Sequence, residues 1–336
     1  MAVVVLIAPL RSWAGPAPLD TGALLREYEP VLFFHPQEDW APEPADSFVG
    51  RARVERQVAR GKWSPVSPPV PTSSMGCTLS PCFRFNLPCP LRGGDSCYEA
   101  ARSDAAAWQH PLVYGRVVSV PTGTAPPPGF TVAPRYLVRY WLFYEFDDWR
   151  TNDRRLWQAH EGDWENITIA LSSTLDPLFA AYSEHCSGTI RAWSNVAKRG
   201  GSHPVAYVAR GSHAIYFTTT PTSTKFSECL TKYLDRPALT RATAIIKLAQ
   251  ERLVDRMGTA HPSGPSELPS LTPLQLQELG TDLPTWARFP GRWSEGQLLW
   301  LGTVPRSLTS ITEGAGPATP NWNATSIPSL WHLASS

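Results

Sequence analysis

Residues 134–146 read Pro-Arg-Tyr-Leu-Val-Arg-Tyr-Trp-Leu-Phe-Tyr-Glu-Phe. Aromatic and β-branched side chains favour a pleated strand. Here they fall on both parities of the alternation, so the strand needs cover on both faces and belongs inside a packed sheet. Two further stretches, Glu165–Ser173 (ENITIALSS) and His203–Phe217 (HPVAYVARGSHAIYF), are strand candidates bounded by Gly, Ser and Pro. Between them, Asp176–Trp193 reads as a hairpin around Ser187-Gly188. Strands spaced in this way across 110–220 predict a mainly β protein with a β-sandwich-like core.

Around that core the expectations are simpler. A short helix over Leu24–Tyr28 leads into a strand at Val31–Phe34. Residues 61–100 combine prolines with four cysteines and read as a stapled loop. Residues 259–285, rich in Pro and Ser, read as loop over the surface. One amphipathic helix is prominent. Leu239, Ala242, Ile246, Ala249, Leu253 and Met257 recur three or four apart, which predicts a helix over 236–257 opened near Asp235 and stopped by Gly258.

The first residues run Met-Ala-Val-Val-Val-Leu-Ile-Ala-Pro-Leu, and Ser12-Trp13-Ala14 precedes a candidate cleavage point. The pattern is that of a secretory signal peptide over residues 1–14, although no basic residue precedes the apolar run. The remainder, 15–336, reads as a single domain, and the location expected is secreted or cell envelope. Six cysteines suit an oxidising compartment. Cys77, Cys82, Cys89 and Cys97 are expected to form two local bridges. Cys186 and Cys229 are expected to form a long-range one. The clustered cysteines have no Cys-x-x-Cys pair, so zinc is the weaker reading. Lys plus Arg number 30 against 29 Asp plus Glu. That near balance gives no broad attraction to nucleic acid.

The densest polar constellation is His160-Glu161-Gly162-Asp163-Trp164-Glu165. If Asp163–Leu171 is a strand, Asp163 and Glu165 share a face that becomes apolar at Ile167. His160 lies across Gly162, which permits a tight turn, so His160, Asp163 and Glu165 are expected to converge at the strand's mouth. His213, in Gly211-Ser212-His213-Ala214, and an acid from Asp147, Asp148 and Asp153 can reach the same rim; Asp148 is taken as the ligand. Carboxylates joined by imidazoles suit calcium, magnesium or manganese better than zinc. Trp164 and Tyr144 are taken as rings that contact a ligand. The plainer reading is a structural cluster in which the acids accept backbone N–H bonds or pair with Arg139, Arg150 or Arg210. No Gly-x-Ser-x-Gly elbow, phosphate loop or dinucleotide fingerprint occurs.

Three ordered segments resemble the vacuolar protein sorting-associated protein 62 family: Tyr28-x-Pro30 with Phe34-His35-Pro36-x-Glu38; His160-x-Gly162-Asp163-Trp164-Glu165; and Gly201-x-His203-Pro204-Val205 running into Gly211-Ser212-His213-Ala214. The tail, with Gly291-Arg292-Trp293 and Gly316-Pro317 before Trp322, is similar as well. Over a shorter stretch the central motif resembles that of the necrosis- and ethylene-inducing peptide-like proteins. The second resemblance implies a secreted β-sandwich toxin that binds a divalent cation and a sphingolipid sugar headgroup. His160, Asp163 and Glu165 match that motif's spacing; Gly162 stands where the motif has a second His, and its upstream acid aligns with either Asp148 or Asp153. The expected function is therefore a divalent-cation-binding protein for a glycan or lipid headgroup, toxin-like and directed at a membrane surface. The alternative is a metal-dependent hydrolase built on the same cluster, with Glu165 or His213 moving protons.

Overall fold

The computed structural model describes residues 18–89, 97–98, 102–150, 156–184, 187–220, 222–223, 254–295, 298–301 and 317–325. The chain is mainly β, as the aromatic strand predicts. Its seven-stranded sheet runs β17 (Gln275–Glu278), β5 (Leu112–Ser119), β6 (Tyr136–Arg150), β7 (Leu156–Leu171), β8 (Pro177–Glu184) and β9 (Ser187–Ala192), with β18 (Leu298–Leu301) also on β7. The six-stranded sheet runs β10 (Lys198–Arg199), β11 (His203–Val208), β1 (Val31–Phe34), β15 (Ala260–Gly264) and β16 (Thr272–Pro273), with β12 (Ile215–Tyr216) on β11. A small sheet runs β3 (Lys62–Pro65), β2 (Arg53–Ala59) and β4 (Phe83–Asn86), and β13 (Thr222–Ser223) pairs with β14 (Val254–Asp255). The helices are short: α1 (Thr21–Glu27), α2 (Ala45–Arg51) and α3 (Ala105–Gln109). The Asp20 carboxylate caps α1 by accepting from the Ala23 N–H.

The centre of the large sheet is the β6–β7 hairpin, an antiparallel pair that sets Tyr136 opposite Leu171 and Asp147 opposite His160. β6 is buried on both faces, as its sequence requires. On one side, Phe143 and Trp164 pack with Trp286, Trp293 and Trp322 in an aromatic cluster. On the other, Tyr182 of β8 stacks on Phe217 and donates to the Val205 carbonyl of β11, which ties the two large sheets together.

β7 is longer than its partners on the far edge. β18 pairs with residues 156–159 and β8 with residues 167–171. Between them, His160–Asn166 has no strand neighbour on that edge among the described residues. Two hydroxyls take the backbone donors there: Ser294 accepts from the Glu161 N–H and Ser183 from the Asn166 N–H. This notch in the sheet frames the polar motif.

Several expectations change. The region 61–100 contains β3 and β4, and β2–β3 is a hairpin that the density of Pro and Cys conceals. The region 259–285 contributes β15, β16 and β17, which add strands to both large sheets. The predicted helix falls mostly on residues outside those described, but its end is not helical. Val254–Asp255 is strand, and Met257 packs against Ala209, Ala214 and Tyr216. The two local disulfides form as Cys77–Cys82 and Cys89–Cys97. The signal-peptide residues 1–14 and the Cys186–Cys229 pairing lie outside the described residues.

Candidate metal centre

β7 does not begin at Asp163, as the alternation suggests; it passes through His160 and Gly162 without a break. Gly162 has φ of +63°, and a side chain there would meet the Cβ and carbonyl oxygen of Trp293 at 2.6 Å. Only glycine takes that backbone and that approach at little cost. The positive φ resets the pleat by one residue. Glu161 and Trp164 therefore turn to the Tyr98 and Trp293 side, while His160 and Asp163 both reach the notch. A strand of uniform alternation would separate His160 from Asp163.

Asp147, His160 and Asp163 are brought together, each offering a ligand atom within 4.8 Å of the others. His160 Nε2 lies 3.8 Å from Asp147 Oδ2 and 4.0 Å from Asp163 Oδ1. Across the ring, Nδ1 is 3.2 Å from the Glu161 carbonyl oxygen. A carbonyl only accepts, so Nδ1 donates there and Nε2 is the nitrogen turned toward the two acids. That is the orientation a metal-ligating imidazole takes, fixed by a backbone acceptor. The side chains of His160 and Asp163 keep 11% and 10% exposure, so the group opens to solvent on one side.

The other expected ligands sit further off. His213 donates from Nδ1 to Asp163 Oδ2 at 2.9 Å, and its Nε2 is 3.5 Å from Glu38 Oε1. Burial alone would lower its pKa, but Glu38 and Asp163 outweigh it and push it up to about 10. His213 is therefore a buried cation between two acids rather than a ligand with a free lone pair. It sits at φ +54° in the turn between β11 and β12 and stacks on Tyr144 at 3.8 Å. The turn is anchored by Ser212 and Tyr216, which both donate to buried Asp255. Glu38 is held by the N–H groups of Asp39, Trp40 and Gly211. Nothing in the sequence reading placed Glu38 here, although it closes the quoted Phe34–Glu38 motif.

Glu165 lies one step deeper, accepts from the Ser183 hydroxyl and is fully enclosed; burial and the Asp163 charge raise its pKa well above the usual carboxylate range. Asp147 is raised in the same direction by burial and by Asp163. The acid that joins the group is thus Asp147, not Asp148, whose chain neighbour position on β6 faces Ala159 rather than His160. Asp153 lies outside the described residues. Trp164 is packed in the aromatic cluster and Tyr144 is fully buried, so neither ring faces an external ligand. Two of the three candidate arginines pair elsewhere, and the side chain of Arg150 lies outside the described residues. Arg139 donates to the carbonyls of Asn321, Trp322 and Ala324, and Arg210 bonds Gln37. Asn166, which opens the Asn-Ile-Thr glycosylation pattern at 166–168, is buried with its amide on the Tyr140 carbonyl.

The chain matches no family model and no curated protein, so the resemblance to the vacuolar protein sorting-associated protein 62 family gains no support. Its neighbours among solved structures are toxin-fold proteins of the necrosis- and ethylene-inducing kind. Necrosis and Ethylene inducing Protein 2 from the causal agent of cocoa's witches' broom disease is 18% identical with a TM-score of 0.30, covering 58% of this chain and 67% of that one. NLPPya in complex with mannosamine is 17% identical with a TM-score of 0.31, covering 65% and 74%. Both likenesses are partial, with about two thirds or less of this chain covered.

Proposed function

We propose that this chain is an exported binding protein in which Asp147, His160 and Asp163 hold a divalent cation, and that the ion engages a glycan or lipid headgroup in a toxin-like, membrane-directed role. One observation carries the reading. Two buried carboxylates converge on the Nε2 edge of an imidazole, and no Lys or Arg among the described residues pairs with either acid; Asp163 shares the His213 imidazole with Glu38, and Asp147 has no cation of its own. Buried acids in excess of their counterions are costly, and a cation that joins several oxygens removes the cost without a matching arginine. Ligand separations of 3.8 and 4.0 Å suit oxygen and nitrogen donors about 2.4 Å from a calcium-sized ion, and smaller ions would draw the group inward. Three protein ligands leave further positions for water and for hydroxyl or phosphate oxygens from outside. The disulfides suit an oxidising location.

The hydrolase alternative has less to stand on. Both nitrogens of His213 face acids inside the protein, and Glu165 is enclosed against Ser183, so neither is placed to exchange protons with a bound substrate.

Asp147→Asn gives the cleanest test. Asp147 has no fixed cationic partner, and its amide counterpart keeps the Trp149 N–H contact. Wild type should melt higher with excess calcium, magnesium or manganese than with chelator, by about 2.7 kcal/mol at a hundred times Kd. The variant should match wild type in chelator and lose the shift. A wild type indifferent to all three ions ends the proposal.

A further inference from the structure

A second surface, remote in sequence from the acid centre, carries the opposite charge. Residues 51–62 hold Arg51, Arg53, Arg56, Arg60 and Lys62 against one acid, Glu55, in a chain whose net charge is +1. The excess is concentrated on the β2–β3 hairpin. Glu55 is already answered by Arg84, whose guanidinium also lies 4.4 Å over the Trp63 ring. Arg53, Arg60 and Lys62 are exposed and have no ion-pair partner among the described residues.

Two aliphatic side chains stand out among these cations. Val58 is 59% exposed and Met75 is 91% exposed. The register of β2 against β3 shifts between Gln57 and Ala59, which leaves Val58 without a cross-strand partner. Met75 is held nearby. Arg56 donates to the Gly76 carbonyl, the Gln57 N–H donates to the Cys82 carbonyl, and the Cys77–Cys82 disulfide closes that loop. An exposed methionine on a stapled loop beside a cationic hairpin is a fixed apolar point in a basic field.

We propose that the β2–β3 hairpin and the Met75 loop form a docking surface for an anionic lipid bilayer, independent of the metal centre. Cations that face a negatively charged surface, with aliphatic side chains between them, match the headgroup and upper acyl layers of such a membrane. A nucleic acid fits less well, because a face of Trp63, the one aromatic ring on the hairpin, is already taken by the Arg84 guanidinium.

Cosedimentation of the whole chain with vesicles tests this. In chelator and low salt, the protein should pellet with phosphatidylcholine vesicles containing phosphatidylserine and stay in solution with phosphatidylcholine alone. Binding should fall as salt rises. The triple variant Arg53→Glu, Arg60→Glu, Lys62→Glu should weaken binding at least on the order of a hundredfold, since each cation lost costs roughly fivefold and each anion gained adds repulsion. Val58→Ser with Met75→Ser should weaken it on the order of tenfold at unchanged hairpin charge. Circular dichroism melts confirm folding; where the triple variant fails to fold, Arg60→Ala with Lys62→Ala in the turn replaces it. Equal binding to neutral vesicles, a triple variant that still pellets, or tighter hairpin-dependent binding to a DNA fragment than to the anionic vesicles would overturn the proposal. Because chelator is present throughout, failure here leaves the cation reading untouched, and binding here survives loss of that reading.

Discussion

Glu145 and Asp147 lie two residues apart on β6, at 2% and 3% exposure, yet they are compensated in different ways. Glu145 meets Arg51 of α2 through both guanidinium nitrogens, a forked ion pair. Asp147 meets only an imidazole edge, one backbone N–H and other acids. The first pair is complete within the protein. The second is raised well above an ordinary carboxylate by burial and by Asp163 and has no fixed cation beside it among the described residues. Burial of an acid is thus not by itself a sign of function; what surrounds it decides.

Three variants sharpen that contrast. The largest effect is expected from Asp163→Asn, because Asp163 serves both as candidate ligand and as the hydrogen-bonded counterion of buried His213. The sequence alone predicts a loss confined to the metal-bound state. The structure predicts a loss of about 3 kcal/mol even in chelator, since a buried cation loses a partner. Urea unfolding in chelator measures it, and wild-type stability there would show that His213 does not depend on Asp163.

Arg51→Met comes next. It leaves Glu145 buried without its partner, and because the Arg51 side chain is 47% exposed the expected cost is about 2 kcal/mol, below that of a fully enclosed pair. The loss should be the same with and without divalent cation, and adding Glu145→Gln should recover part of it. A cation-dependent loss would mean that the two acids are not separate systems.

The smallest effect concerns Glu43, whose pKa burial and the neighbouring Glu145 push up to about 8. A carboxyl raised in the folded state favours folding fully below its ordinary value near 4.5 and loses that contribution as pH rises through about 8. Wild type should therefore lose stability between those limits that Glu43→Gln does not, and only part of the full shift is expected because Glu43 is half-buried and its charge is screened. Parallel melting-temperature profiles for the two proteins in chelator would show that Glu43 is not the source.

The sheet was legible where pattern and pairing are local. Val31–Phe34 is a strand at the predicted residues, and the aromatic run becomes the central β6. The convergence of His160 with Asp163 was legible too, through Gly162, though for a different reason: the glycine resets a continuous strand instead of making a turn. The motif resemblance points to Asp148 or Asp153 and the sequence reads 147–153 as a polar loop, whereas β6 continues to Arg150. Extending the hairpin symmetrically from Tyr136 opposite Leu171 puts Asp147 opposite His160, a signal the sequence holds once the pairing is known. Glu38 was out of reach, because parallel pairing of β1 with β11 brings together segments far apart in the chain. The hairpin 53–65 was hidden by charges on both of its faces, which erase the alternation that a half-buried strand shows.

The contact between Gly162 and Trp293 also has a consequence in time. During synthesis the β6–β7 hairpin emerges early, with all three candidate ligands already on it. Trp293, against which Gly162 seats, and Ser294, which takes the free Glu161 N–H, arrive only when most of the chain has been made. A nascent chain therefore carries the residues of the centre long before it carries the wall that fixes their direction, and cation affinity should be among the last properties that the maturing protein acquires.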